Sequence, residues 1–214
     1  MNGSIDPEKS QERSNGDRED RKSALLARLR RVLRAERDYA PSWRELAKGA
    51  GASLSTITHH FGKREDVVAA IMEDDLAGAT AELEIMATAD ADFAASIRGA
   101  VLHLLDGMRH GGLDALFSSG LREGFSHARI GPLFLTTALE PTLQACEARL
   151  ATHVARKEMI EGNLRVAALA LISPVVLAAL HQTKLGGHDV RPLDLDEFAK
   201  QHAERFVRAW SAKE

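Results

Sequence analysis

Only one of the 214 residues is cysteine, Cys146. A single thiol cannot close an internal disulfide, so nothing in the composition points to an oxidising compartment. Residues 1–20 hold no apolar stretch of the kind a signal peptide needs. The apolar run from Val166 to Leu180 falls short of the roughly 20 residues that span a bilayer. A cytoplasmic location is therefore expected. Recognisable catalytic sets are missing too: no Ser/His/Asp group in a characteristic turn, no paired catalytic carboxylates, no cofactor loop. The expectation is a non-enzymatic protein with no catalytic residue, cofactor or metal site. No period-2 alternation is bounded by hairpin turns, which excludes a β-rich fold.

What is present is an ordinary globular composition, 44% apolar and 28% charged, with enough apolar material for a core. The net charge of −3 hides a strong asymmetry. Arg21 to Arg64 carries eleven basic and three acidic residues, a net +8, while residues 1–20 carry −3 and residues 65–214 carry −8. One short basic segment on an acidic body often marks a nucleic-acid-binding module.

The helical periodicity is consistent along the chain. Leu25, Leu29, Val32 and Leu33 recur at helical spacing, and the helix ends before Tyr39-Ala40-Pro41. Ser42-Trp43-Arg44-Glu45 is a capping box that opens a second helix with Leu46, Ala47 and Ala50. Gly51 supplies a positive-φ turn. Ser53 opens a third helix to about His60, and after Phe61-Gly62 a long helix runs from Lys63 to about Met86. Further helices are expected over Phe93–Met108, Leu113–Glu123, from Gly131-Pro132 to near Lys157, over Leu164–Lys184 with a kink at Pro174, and from a second capping box at Asp194–Glu197 to Trp210. That makes about nine helices.

Two short helices joined by a glycine turn are the minimal DNA-reading unit. Ser53, Ser55, Thr56 and Thr58 supply short polar side chains able to reach base edges. Arg44, Lys48, Lys63 and Arg64 are candidate phosphate contacts. Of His59 and His60, one is expected to face phosphates and the other to pack near Phe61. Adjacent helix positions point about 100° apart, which speaks against a shared metal ion. Cys146 lies on an apolar helix face without an activating base, so a redox role is disfavoured.

The stretch Ser42-Trp43-Arg44-Glu45-Leu46-Ala47, Ala50-Gly51, Ser53 to Phe61 and Lys63 to Val67 resembles the tetracycline-repressor (TetR) family. The family often has a phosphate-binding tyrosine before the His-His-Phe step, where this chain has Thr58, and a small residue where it has Ser55. The resemblance implies an all-α fold: an N-terminal three-helix DNA-binding domain with a helix-turn-helix, then a C-terminal helical ligand-binding and dimerisation domain. The expected organisation is a disordered tail over 1–20, the DNA-binding domain over 21–66 and the ligand-binding body over 67–214.

The expected partners are a double-stranded DNA operator, contacted by Ser42, Arg44, Lys48, Ser53, Ser55, Thr56, Thr58, His59, His60, Lys63 and Arg64; a small apolar effector; and a second copy, met through residues 164–184 and 195–210. The effector pocket is expected among Leu102, Leu105, Met108, Leu116, Phe117, Leu121, Phe125, Phe134 and Thr137. The alternative is a nucleoid-type protein that binds DNA without an effector, which predicts a body with no cavity.

Overall fold

The computed structural model describes residues 7–35 and 39–212. The chain divides into two compact units, one ending at Glu73 and one beginning at Asp74. The expected boundary after residue 66 lies earlier.

The first unit contains α1 (Pro7–Arg34), α2 (Trp43–Ala50), α3 (Leu54–Phe61) and most of α4 (Arg64–Gly78). Its core is small and strictly periodic. Leu25, Leu29, Val32 and Leu33 of α1 are buried, as are Leu46, Ala47 and Ala50 of α2, Ile57 of α3, and Val67, Val68 and Ile71 of α4. Helices α1 and α2 pack so closely that a Cβ on Gly49 would lie 2.7 Å from a Val32 methyl. The tail expected over residues 1–20 is corrected from Pro7 on, where the chain is already helical; residues 1–6 lie outside the described residues.

The long helix expected from Lys63 to about Met86 is two helices. Helix α4 stops at Gly78, Ala79 adopts φ −91° and ψ 3°, and α5 (Thr80–Ala87) begins. Glycine is a poor interior helix former, and the Ala79 N–H closes a tighter bond to the Leu76 carbonyl.

The second unit continues with α6 (Phe93–Arg109), α7 (Leu113–Ser126), α8 (Ile130–Phe134), α9 (Glu140–Ala155), α10 (Leu164–Thr183), α11 (Gly187–Val190) and α12 (Leu195–Trp210). Helix α6 packs on α10 and α12, and α9 on α5 and α10. The helix expected from Gly131 to Lys157 is interrupted by a π-helical turn, Leu135–Leu139. Pro141 stands two residues beyond its end. Its ring crowds the carbonyl four residues back and it donates no N–H, which favours a widened turn there.

Helix α10 is long and apolar enough to reach across a membrane by length and composition alone. Here Ala167, Ala168, Leu171, Ile172 and Val175 are buried inside the unit. Beside Pro174, the Leu171 carbonyl accepts a 2.9 Å bond from His202 Nε2 of α12. A neighbouring helix thus serves a carbonyl next to the interrupted part of the ladder. Phe206, expected on a stripe facing a second copy, is instead buried in its own protomer beside Phe93 and Trp210. The second capping box forms by half: Asp194 accepts from the N–H groups of Asp196 and Glu197, but the Glu197 carboxylate turns to Gln201.

Candidate nucleic-acid interface and effector cavity

In the first unit, the sequence between Pro41 and Asp66 folds through short-range bonds that leave its polar face outward. Ser42 Oγ accepts from the Glu45 N–H while Glu45 Oε2 accepts from the Ser42 N–H at 2.9 Å. Glu45 Oε1 also accepts from the Tyr39 hydroxyl at 2.7 Å. Gly51 holds φ +63° at the turn, a conformation that penalises any side chain. Ser53 caps α3 by accepting from the Thr56 N–H at 3.1 Å. Its hydroxyl lies 2.8 Å from both the Ser55 and Thr56 hydroxyls, so the three form one exposed polar cluster at the start of α3.

Ser55, Thr56, Thr58 and His59 are exposed, and Arg44, Lys48 and Lys63 stand exposed around them. His60 is half-buried, its ring 6.1 Å from that of Phe61. Two expected phosphate contacts change character. Arg64 turns back on the unit and donates to the Pro41 carbonyl at 3.0 and 3.2 Å, bracing the segment that leads into α2. The N-terminus of α4 is met by its own chain, since the Lys63 N–H donates to Asp66 Oδ2 at 2.9 Å. Arg28 plays a similar internal part, donating to the Ala50 carbonyl at the end of α2. An arginine count shows net charge but not which guanidinium groups are spent inside the unit.

In the second unit a cavity of about 210 Å³ opens between α5, α6 and α9. Leu83, Met86 and Leu104 line its apolar part, with Glu82, His103 and Asp106 also at the wall. None of the nine expected pocket residues lines it. Leu105, Met108, Phe117 and Phe134 are buried, Leu116, Leu121 and Thr137 half-buried, and Leu102 and Phe125 exposed. Phe117 and Phe134 pack edge to face at 5.5 Å, and a Cβ on Gly120 would collide with the Phe134 ring, so α7 and α8 meet closely here. The cavity instead borders α5, which sequence periodicity had merged with α4.

The second unit also holds a buried polar cluster that no local pattern announced. His153 is fully buried; its Nε2 lies 2.8 Å from Ser96 Oγ and its Nδ1 2.5 Å from Glu158 Oε2. The connectivity is that of a hydrolytic Ser-His-Glu set. The arrangement is nevertheless a packed core, because Ser96 is buried and its hydroxyl also accepts from Arg149 at 2.6 Å. Arg149 further donates to the Ile85, Met86 and Ser96 carbonyls, binding the end of α5 to α6 and α9. Burial lowers the guanidinium pKa, with Cys146 and Asp90 opposing it. Cys146 is wholly buried, and desolvation pushes its thiol up to about 12 although Arg149 pulls the other way.

No family model and no curated protein matches the sequence. Solved structures do match. A TetR-family transcriptional regulator from Mesorhizobium loti is similar over 89% of this chain and 96% of its own, at 15% identity and a TM-score of 0.62. The flavonoid-responsive regulator FrrA is similar over 90% and 98%, at 16% identity and a TM-score of 0.67. The regulator FadR from Bacillus subtilis, in complex with stearoyl-CoA, is similar over 86% and 97%, at 16% identity and a TM-score of 0.66. The fold of this chain is that of TetR-family transcriptional regulators.

Proposed function

We propose that this protein is a homodimeric transcriptional repressor of the cytoplasm, held on a palindromic operator until a small, mostly apolar effector releases it. The observation that carries the reading is the exposed hydroxyl cluster of Ser53, Ser55 and Thr56 at the start of α3, set on a glycine-turned helix pair in the +8 segment. Recognition helices meet base edges mainly with their N-terminal residues. Thr56 and its neighbours read bases, while Ser42, Arg44, Lys48, His59, His60 and Lys63 lie toward phosphates, which position the protein but carry no sequence information.

Two copies meet through residues 164–184 and 195–210 and place their α3 helices about 34 to 36 Å apart, or slightly more, in successive major grooves. Val166, Leu169 and Leu177 of α10 are apolar and exposed, which supports that face. An effector shifts the protein off DNA only by its differential affinity for the two states. The cavity supports an effector-responsive body over a nucleoid-type protein. Its 210 Å³ lies below the roughly 300–1,000 Å³ of common ligand pockets. An effector smaller than the stearoyl-CoA held by FadR fits it better.

The test is selection of sheared genomic DNA by the purified protein, followed by sequencing. A shared palindrome should be enriched, and Thr56→Ala should weaken its binding by about 1 to 3 kcal/mol, the range of one lost base contact. Unenriched, random recovery defeats the reading.

A further inference from the structure

We propose that the N-terminal half of α1 is a second DNA-contacting element, which holds a backbone phosphate flanking the half-site read by α3. The inference rests on the DNA-binding reading above. Its observation is separate from the helix-turn-helix: Gly16, Arg18, Glu19 and Lys22 of α1 line one groove, of about 620 Å³, together with His59 and His60 at the end of α3.

The chemistry of this groove is that of a phosphate site. Arg18 and Lys22 are four residues apart on a helix and so project from one face. Arginine offers five N–H donors and lysine three, and neither accepts. The histidine rings add further polar nitrogens, and among the described residues Glu19 is the one carboxylate in the lining. Among the described residues no apolar side chain lines it, which speaks against an oily ligand. Gly16 borders open space, since a Cβ there would meet nothing within 4 Å.

Position selects the source of the phosphate. His59 and His60 follow Thr56 by three and four residues on α3, so they lie about one turn beyond the base-reading cluster. A duplex seated on that cluster carries its backbone past the end of α3, where Arg18 and Lys22 stand. Charge-assisted contacts there add affinity for any sequence. Residues that composition assigns to a tail thereby become part of the grip.

The experiment is a fluorescence-anisotropy titration of the full chain with a 30-base-pair mixed-sequence duplex between 50 and 200 mM KCl. The variant is Arg18→Gln with Lys22→Gln. The control is Arg98→Gln with Arg208→Gln, which removes the same charge from the second unit. Each phosphate contact contributes about 0.9 to the slope of log affinity against log salt, so the Arg18/Lys22 variant should lower the slope by about 2 per protomer. The control should leave it unchanged, and circular dichroism should be the same for all three proteins. An unchanged slope in the Arg18/Lys22 variant, or an equal fall in the control, overturns the inference while leaving DNA binding intact. A wild-type protein with no salt-dependent binding overturns the DNA-binding reading itself, and this inference with it. Inorganic phosphate is added in a parallel titration at constant ionic strength. Displacement of the duplex from wild type by millimolar phosphate would make the groove a site for the free anion and also overturn the proposal.

Discussion

The two units are held together differently. Up to Glu73, the bonds that shape the polar face are mostly short in sequence: Ser42 with Glu45, Ser53 with Thr56, Lys63 with Asp66. From Asp74 on, the decisive polar bonds span large separations. Arg149 reaches Met86 and Ser96, His153 reaches Ser96, His202 reaches Leu171, and Arg165 makes a two-pronged pair with Glu140 at 2.7 Å. The first unit presents its hydroxyls outward, while the second spends a serine, a histidine and an arginine inside its core. On the proposed function, local, self-contained caps would keep the polar face of the first unit unchanged, and polar links between helices would let one displaced helix of the second unit disturb several others.

The largest effect should come from breaking the long-range links. Arg149→Ala removes the guanidinium donor from the Met86 carbonyl and from the carbonyl and hydroxyl of Ser96 in a buried site. Each unsatisfied buried group costs about 1–3 kcal/mol, and solvent or repacking recovers part, so a loss of about 3–5 kcal/mol is expected. Urea unfolding measures it. A loss below about 1 kcal/mol would show that the cluster is incidental to the body's stability, and the contrast between the units would fail.

The next effect separates the protomer's own core from its proposed dimer face. Leu177 is 65% exposed and Phe206 only 5%. Leu177→Glu should leave the protomer folded but bury a carboxylate between two copies, a cost of several kcal/mol, so dimer dissociation rises by about a hundredfold or more. Phe206→Ala should instead lower the stability of the protomer itself by about 3–5 kcal/mol. Sedimentation and thermal unfolding distinguish the two. A fully dimeric Leu177→Glu protein would remove α10 from the interface.

How much of this was legible in the sequence follows the same division. Ser42, Glu45, Gly51 and Ser53 announced their caps and turn because each signal lies within a few residues of its partner. Helix boundaries in the body were legible where apolar periodicity was strong, as in α6, or where an unbroken apolar run is closed by glycines, as in α10. The break between α4 and α5 and the π-helical turn before Pro141 were not, because a glycine or proline inside an apolar pattern does not say whether the helix stops, widens or continues; the role of Arg149 was not, because its partners are 53 to 64 residues away. The nine residues expected around an effector do not line the cavity beside α5, because apolar spacing identifies residues that are inward but not which of them border open space; Phe117 and Phe134 pack against each other.

A smaller effect tests burial in the body through pH. The Cys146 thiol is pushed from 9.0 to about 12 by desolvation. Its raised value leaves stability intact below about pH 9; above that the unfolded chain ionises while the folded chain does not. Stability should therefore fall by roughly 1.4 kcal/mol per pH unit from this group as pH rises toward 12. Cys146→Ala should flatten that part of the profile, and the native thiol should resist a disulfide reagent at pH 8 until the protein is unfolded. Rapid labelling of the native protein contradicts the burial.

The smallest effect belongs to the first unit and concerns Thr58. It is exposed late in α3, beyond the hydroxyl cluster, and only its backbone carbonyl is engaged in capping, through the Gly62 N–H at 2.9 Å. A threonine hydroxyl ends several ångströms short of where a tyrosine phenol would reach, so as it stands Thr58 adds little to the grip on phosphate. Replacing it with tyrosine keeps the backbone bond and extends a donor toward the backbone of bound DNA. A net hydrogen bond is worth about 1 kcal/mol, or roughly fivefold in affinity per protomer. Because phosphate carries no sequence information, the gain should be equal for the selected palindrome and for a scrambled duplex at one fixed salt concentration. A gain confined to the palindrome would place Thr58 against bases. Loss of palindrome binding in Thr58→Tyr, with Thr56→Ala unaffected, would mean that α3 enters the groove by its other end. The comparison of the two variants therefore fixes which part of the helix reads sequence and which part merely holds on.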